Sequence, residues 1–81
     1  MHAVIKDGKV DGKPIIRAWE SFTGWYWFAT EHVENGTYFG FVVGIYPEWG
    51  YFSVAELEAV GPMVWELTKS VIQLIDMEVR G

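Results

Sequence analysis

Trp25-Tyr26-Trp27-Phe28-Ala29-Thr30-Glu31-His32-Val33-Glu34-Asn35-Gly36-Thr37-Tyr38-Phe39-Gly40-Phe41-Val42-Val43-Gly44-Ile45-Tyr46 decides the fold. Two runs rich in aromatic and β-branched residues flank an Asn-Gly pair, the strongest short-range signal for a hairpin. With Asn35-Gly36 as a type I′ loop, Glu34 faces Thr37. Further down the ribbon Trp27 faces Gly44, Trp25 faces Tyr46, Phe28 faces Val43 and Tyr26 faces Ile45. One face then carries Tyr26, Phe28, Thr30, Phe39, Phe41, Val43 and Ile45 and is assigned to the core. The other carries Trp25, Trp27, Ala29, Glu31, Tyr38, Gly40, Val42, Gly44 and Tyr46. There large rings alternate with glycines, and an indole can lie over a glycine backbone. A one-residue slip would exchange the two faces, so the assignment depends on the turn.

A two-stranded ribbon needs one apolar face to build a core, so the second aromatic face requires its own explanation. Three readings are open. Other segments of the chain cover it as a second core; it is an exposed platform for another protein, where tryptophan and tyrosine dominate binding energy; or it stacks on single-stranded nucleic acid.

Beyond the hairpin, Pro47-Glu48-Trp49-Gly50 reads as a turn leading into Tyr51-Phe52. Ser53-Val54-Ala55-Glu56 is a capping box, with Phe52 and Leu57 spaced for a hydrophobic staple. Gly61-Pro62 stops the helix, which is placed at 54–60. After Pro62 the pattern fits either a helical stripe (Val64, Leu67, Val71, and Leu74 or Ile75) or a β-branched terminal strand over 70–78. On the N-terminal side, Ala3–Lys6 and Pro14–Trp19 read as short strands. Asp7-Gly8 and Asp11-Gly12 supply turn chemistry. The expectation is a single α+β domain over 1–81. It has a mostly antiparallel sheet of three to five strands, built on the 25–46 hairpin and packed on the capped helix 54–60, with a C-terminal segment that is helical or strand.

At 81 residues the chain is near the lower limit for a single core, and its 51% hydrophobic and 17% aromatic content compensates. It has no cysteine, so disulfides and thiolate metal sites are excluded. No apolar run has the length of a signal peptide or a membrane helix, and a soluble cytoplasmic protein without a membrane partner is expected. Residues 1–17 hold Lys6, Lys9, Lys13 and Arg17 against Asp7 and Asp11. Residues 18–81 hold Lys69 and Arg80 against nine acids, giving −7 in a chain of net −5. A duplex binder normally carries a basic stripe, and here only a short basic arm exists.

No reaction is spelled out. The only histidines, His2 and His32, fall short of the three or four ligands of a zinc site. Ser53 is accounted for by its cap, and no nucleophile turn or phosphate loop occurs. Glu56 and Glu58 point apart on a helix. Glu31, placed on the Trp25–Trp27 face, is either a solvated rim carboxylate or the orienting acid of a sugar or cation site. The chain is therefore read as a non-enzyme without metal or cofactor.

Trp25–Glu31, Phe39–Gly44 and Pro47-Glu48-Trp49-Gly50-Tyr51-Phe52-Ser53-Val54-Ala55-Glu56-Leu57-Glu58 together resemble a family of small uncharacterised prokaryotic proteins, a domain of unknown function. Its members show a similar aromatic strand ending in Thr-Glu, a Phe-Gly strand and a Pro-Glu-x-Gly-Tyr-x-Ser-x-x-Glu-Leu block. The resemblance covers about residues 15–61, and the chain ends match poorly. It implies a bacterial, archaeal, plasmid or phage source, often near mobile-element genes, and carries no activity, catalytic residue or cofactor.

The resulting expectation is a protein-interaction module, with modulation of a mobile element or of host machinery as its setting. Its binding residues are Trp25, Trp27, Tyr38, Tyr46 and Trp49, with Glu31, Glu34 and Glu48 as an acidic rim. Two alternatives stand beside it: single-stranded nucleic-acid binding through the aromatic face, or an acidic nucleic-acid-mimicking inhibitor.

Overall fold

The computed structural model describes residues 2–81. Two antiparallel sheets make up most of it. The first contains β1 (His2–Lys6), β2 (Lys9–Val10), β3 (Lys13–Pro14) and the C-terminal β9 (Met77–Arg80), in the order β3-β2-β1-β9. The second contains β4 (Arg17–Ser21), β5 (Tyr26–Glu34), β6 (Thr37–Val43), β7 (Glu48–Ser53) and β8 (Val64–Glu66), in the order β7-β6-β5-β4-β8. Helix α1 (Val54–Ala59), a 3₁₀ turn at Gly61–Met63 and helix α2 (Lys69–Leu74) are the only helical pieces among the described residues.

This overturns the expected α+β arrangement of one sheet backed by helix 54–60. The layer opposite Phe28 and Phe41 is the four-stranded sheet. Ala3, Ile5 and Val10 from that sheet and Ala18, Phe28 and Phe41 from the other form one buried cluster, closed by Ile72 of α2. Helix α1 forms with its capping box at Ser53 and Glu56, but it has six residues and buries only Leu57. A helix of under two turns cannot present a stripe wide enough to cover a five-stranded sheet. It covers part of the outer face instead, where Leu57 joins Trp19, Ala29, Tyr38 and Phe52 in a second cluster.

The N-terminal sheet follows from two Asp-Gly turns. Asp7, Gly8, Asp11 and Gly12 all take positive φ, between 49° and 83°. That is the requirement of a type I′ loop at both central positions. The chain changes sheets at Ile15-Ile16: the Ile15 amide donates to Gly8 O and the Ile16 amide to Ala29 O, both at 2.8 Å. The C-terminal segment is both helix and strand. β8 pairs with β4, α2 is capped by Thr68, and β9 pairs with β1. Of the apolar stripe read there, Leu67 and Ile75 pack on the inter-sheet core and Val64 on the second cluster, whereas Val71 and Leu74 are exposed and Ile72 is the buried residue of α2.

The central hairpin departs from the expected register. Glu34 pairs with Thr37 as expected, but only Gly36 of the turn pair has positive φ, so the loop is not type I′. Unprimed loops fit strand twist poorly. Two single-residue bulges follow, at Val33 and Thr30, so that Phe28 faces Phe41, Trp27 faces Val42 and Tyr26 faces Val43. Bulges increase local twist. Two one-residue slips restore the original faces below Thr30, and only Glu31 and His32 between them change sides.

Candidate functional site

Trp25 and Trp27 share the outer face of the second sheet, with ring centroids 5.9 Å apart and planes 36° from each other. Their placement starts in the β4–β5 connection. The buried Ser21 accepts from the Trp25 amide at 3.1 Å, and its hydroxyl lies 2.7 Å from that of Thr23. Gly24, at φ 88°, closes the loop. The Trp25 indole lies over Gly44: a Cβ there would stand 2.7 Å from Trp25 Cζ3.

Between these rings and the α1–β8 connection opens a cleft of about 270 Å³, lined by Phe22, Trp25, Trp27, Val60, Met63 and Val64 above Ser21 and Thr23. Its wall is almost wholly apolar. Phe22 is 63% exposed, Val60 54% and Met63 47%, which makes a ring of large apolar side chains around the mouth. The Phe22 amide donates to Met63 O at 3.0 Å and ties the two lips together. A smaller groove adjoins at Val64 and brings Glu58 and Glu66 beside the cleft.

The other expected site residues are dispersed. Tyr38 is on the same face but buried, against Trp19, Phe52 and His32. Its hydroxyl accepts from Arg17 Nη1 at 3.0 Å, and the Arg17 guanidinium lies 4.8 Å from the Trp19 ring. Arg17 also grips Glu66 through two bonds of 2.8 and 2.6 Å. These bonds hold the Glu66 carboxyl below the ordinary glutamate range and raise the Arg17 pKa further. Tyr46 is 79% exposed, and no ring contact joins it to Trp25. Trp49 lies on the opposite face, stacked on Phe39 at 5.9 Å and 14°, with Lys13 Nζ 4.6 Å over its ring. Glu31 faces Phe39, which the Thr30 bulge puts on the Phe28–Phe41 side, away from the two indoles. Glu48 is exposed beside Val42 on the edge strand.

The structure therefore joins Trp25 to Trp27, keeps Tyr38 beneath the same face and Glu48 on it beyond Val42, turns Trp49 and Glu31 to the other face, and leaves Tyr46 exposed beyond β6. The basic arm is built into the sheets, with Lys13 over Trp49 and Arg17 on Glu66. Phe22, Val60 and Met63 escaped sequence reasoning. A large apolar residue beside the Thr23-Gly24 loop was the one signal that Phe22 offered. No group of three or more His, Asp or Glu side chains among the described residues is placed to hold a metal. No described helix is long and apolar enough to cross a membrane. Comparison with family models, with curated proteins and with solved structures found no match.

Proposed function

We propose that this chain is a non-enzymatic protein-interaction module whose Phe22–Trp25–Trp27–Met63 cleft receives a bulky apolar side chain from a basic segment of another protein. The observation that carries this reading is the apolar cleft itself, lipped by exposed Phe22, Val60 and Met63. Interface energy concentrates where an apolar anchor fills such a pocket beside tryptophan. The basic character of the partner rests on charge. Residues 18–81 carry −7, and Glu58 stands beside the cleft with no ion pair among the described residues. Complementary charge sets partner choice and association rate. Modulation of host machinery is the setting proposed for such a module, by analogy with the small prokaryotic proteins that the sequence resembles.

The test is selection of displayed random peptides on the purified protein, followed by affinity measurement. Enriched peptides carry Trp, Phe or Leu flanked by Lys or Arg, and Phe22→Asp weakens them by about 2 kcal/mol or more, as at a hot spot. Peptides that bind Phe22→Asp and Met63→Asp as well as wild type would overturn the reading.

A further inference from the structure

A second cleft lies on the far side of the molecule, where the β1–β2 turn, the β3–β4 link and α2 meet. It measures about 400 Å³, within the size range of small-molecule sites. Its floor is apolar: Ile72 is buried and Ile15 packs on the same inter-sheet core. Its rim is charged. Lys9 and Lys69 both line it and both are exposed. Neither belongs to an ion pair among the described residues, where Arg17, Arg80 and His2 supply every cation that is paired. Two of the six Lys and Arg residues of a chain of net charge −5 thus face one cavity, against the single carboxylate of Asp7.

The third polar group is Gln73. Its amide nitrogen packs directly on the Gly8 backbone, in space that a Cβ at position 8 would fill. Gly8 is at φ 72°, so the turn and the absent side chain together seat the amide at the rim. The Gln73 amide makes no side-chain hydrogen bond within the described residues, which leaves its N–H groups free to donate.

We infer that this cleft binds a small amphiphilic anion: an apolar body on Ile15 and Ile72, ending in one carboxylate or phosphate held by Lys9, Lys69 and the Gln73 amide. Charge-assisted bonds to an anionic oxygen are the strong ones, and the apolar floor adds burial that a bare inorganic ion cannot use. Asp7 and the negative body of the protein select against a polyanion such as a nucleic-acid strand, whose other charges would meet repulsion. The inference is independent of the tryptophan cleft, which shares no lining residue with this one.

The experiment is a titration of the ¹⁵N-labelled protein, read by amide chemical shifts, with 4-phenylbutyrate, phenyl phosphate and the neutral 4-phenylbutyramide. Saturable shifts confined to residues 7–9, 15–16 and 69–73 are expected from one or both anions, and which anion binds identifies the headgroup. The amide should bind at least roughly tenfold more weakly, a difference of about 1.4 kcal/mol. The Lys9→Gln/Lys69→Gln double variant keeps the folded spectrum and loses affinity for the anion by a similar factor. No saturable shift with either anion, equal binding of anion and amide, or undiminished binding by the double variant overturns the inference.

Discussion

Two residues govern the outer face of the second sheet, and neither is a tryptophan. Gly40 pairs with Ala29 on one side and Gly50 on the other, and a Cβ at Gly40 would collide with Phe28 O, a backbone atom that cannot move aside alone. Gly40→Ala is expected to destabilise by about 1–3 kcal/mol, the usual cost of overpacking, read as a lowered urea midpoint at unchanged slope. Arg17 is the second. It clamps β8 to β4 through Glu66 while stacking over Trp19, so one side chain links the ion pair to the aromatic cluster. The Glu66 pKa is lowered in the folded state, mainly by its hydrogen bonds to Arg17, with the Coulombic attraction adding to them. Its contribution to stability is complete above the unfolded value and lost as pH falls through the folded one. Wild type should therefore lose more stability than Glu66→Gln between neutral pH and the acid side of the glutamate range. Because Glu66 is 43% exposed, the difference is at most about 1 kcal/mol. Equal pH dependence of the two unfolding midpoints would refute the coupling.

At the scale of elements, what was legible was local. The β5–β6 hairpin and the Ser53 cap are written in contiguous residues. The capping box closes as its spacing requires, with the Glu56 amide donating to Ser53 Oγ at 3.1 Å and the Glu56 carboxylate accepting from the Ser53 amide at 3.2 Å. Ser53→Ala is expected to cost about 1 kcal/mol, measured by chemical unfolding, and Ser53→Gly less. The two bulges were not legible, since Thr30 and Val33 differ in no local way from paired strand residues. They moved Glu31 off the indole face and so removed the carboxylate from the imagined sugar site. The four-stranded sheet was hidden for another reason. Its inner strand β1 pairs with β9, at the other end of the chain, from Ala3↔Val79 to Ile5↔Met77. No windowed periodicity reports a pairing across that separation. The tryptophan cleft divides in the same way: Trp25 and Trp27 stand two apart on one strand face, whereas Val60 and Met63 reach them only because β8 pairs with β4 at Ser21↔Val64.

For the whole molecule, the two halves of the charge distribution have different fates. Of the basic residues of the first 17, Arg17 is held by Glu66, Lys13 lies over Trp49 and Lys9 lines the far cleft, while Glu58 stands beside the tryptophan cleft on the −7 body. If a basic segment docks there, affinity and rate should separate. Rim charge acts on encounter, and the buried anchor acts on residence. For a peptide selected on the wild-type protein, Glu58→Lys is expected to lower the association rate several-fold at low salt. That effect should shrink as ionic strength rises and the screening length falls to about 8 Å near physiological salt. Phe22→Asp should leave the association rate within a few-fold and raise the dissociation rate by tenfold or more. Both variants should unfold near the wild-type midpoint, because Glu58 and Phe22 are exposed. Surface-plasmon kinetics at two salt concentrations measure all four quantities. A dissociation rate indifferent to Phe22→Asp would place the anchor elsewhere, and an association rate indifferent to Glu58→Lys and to salt would remove the basic character of the partner.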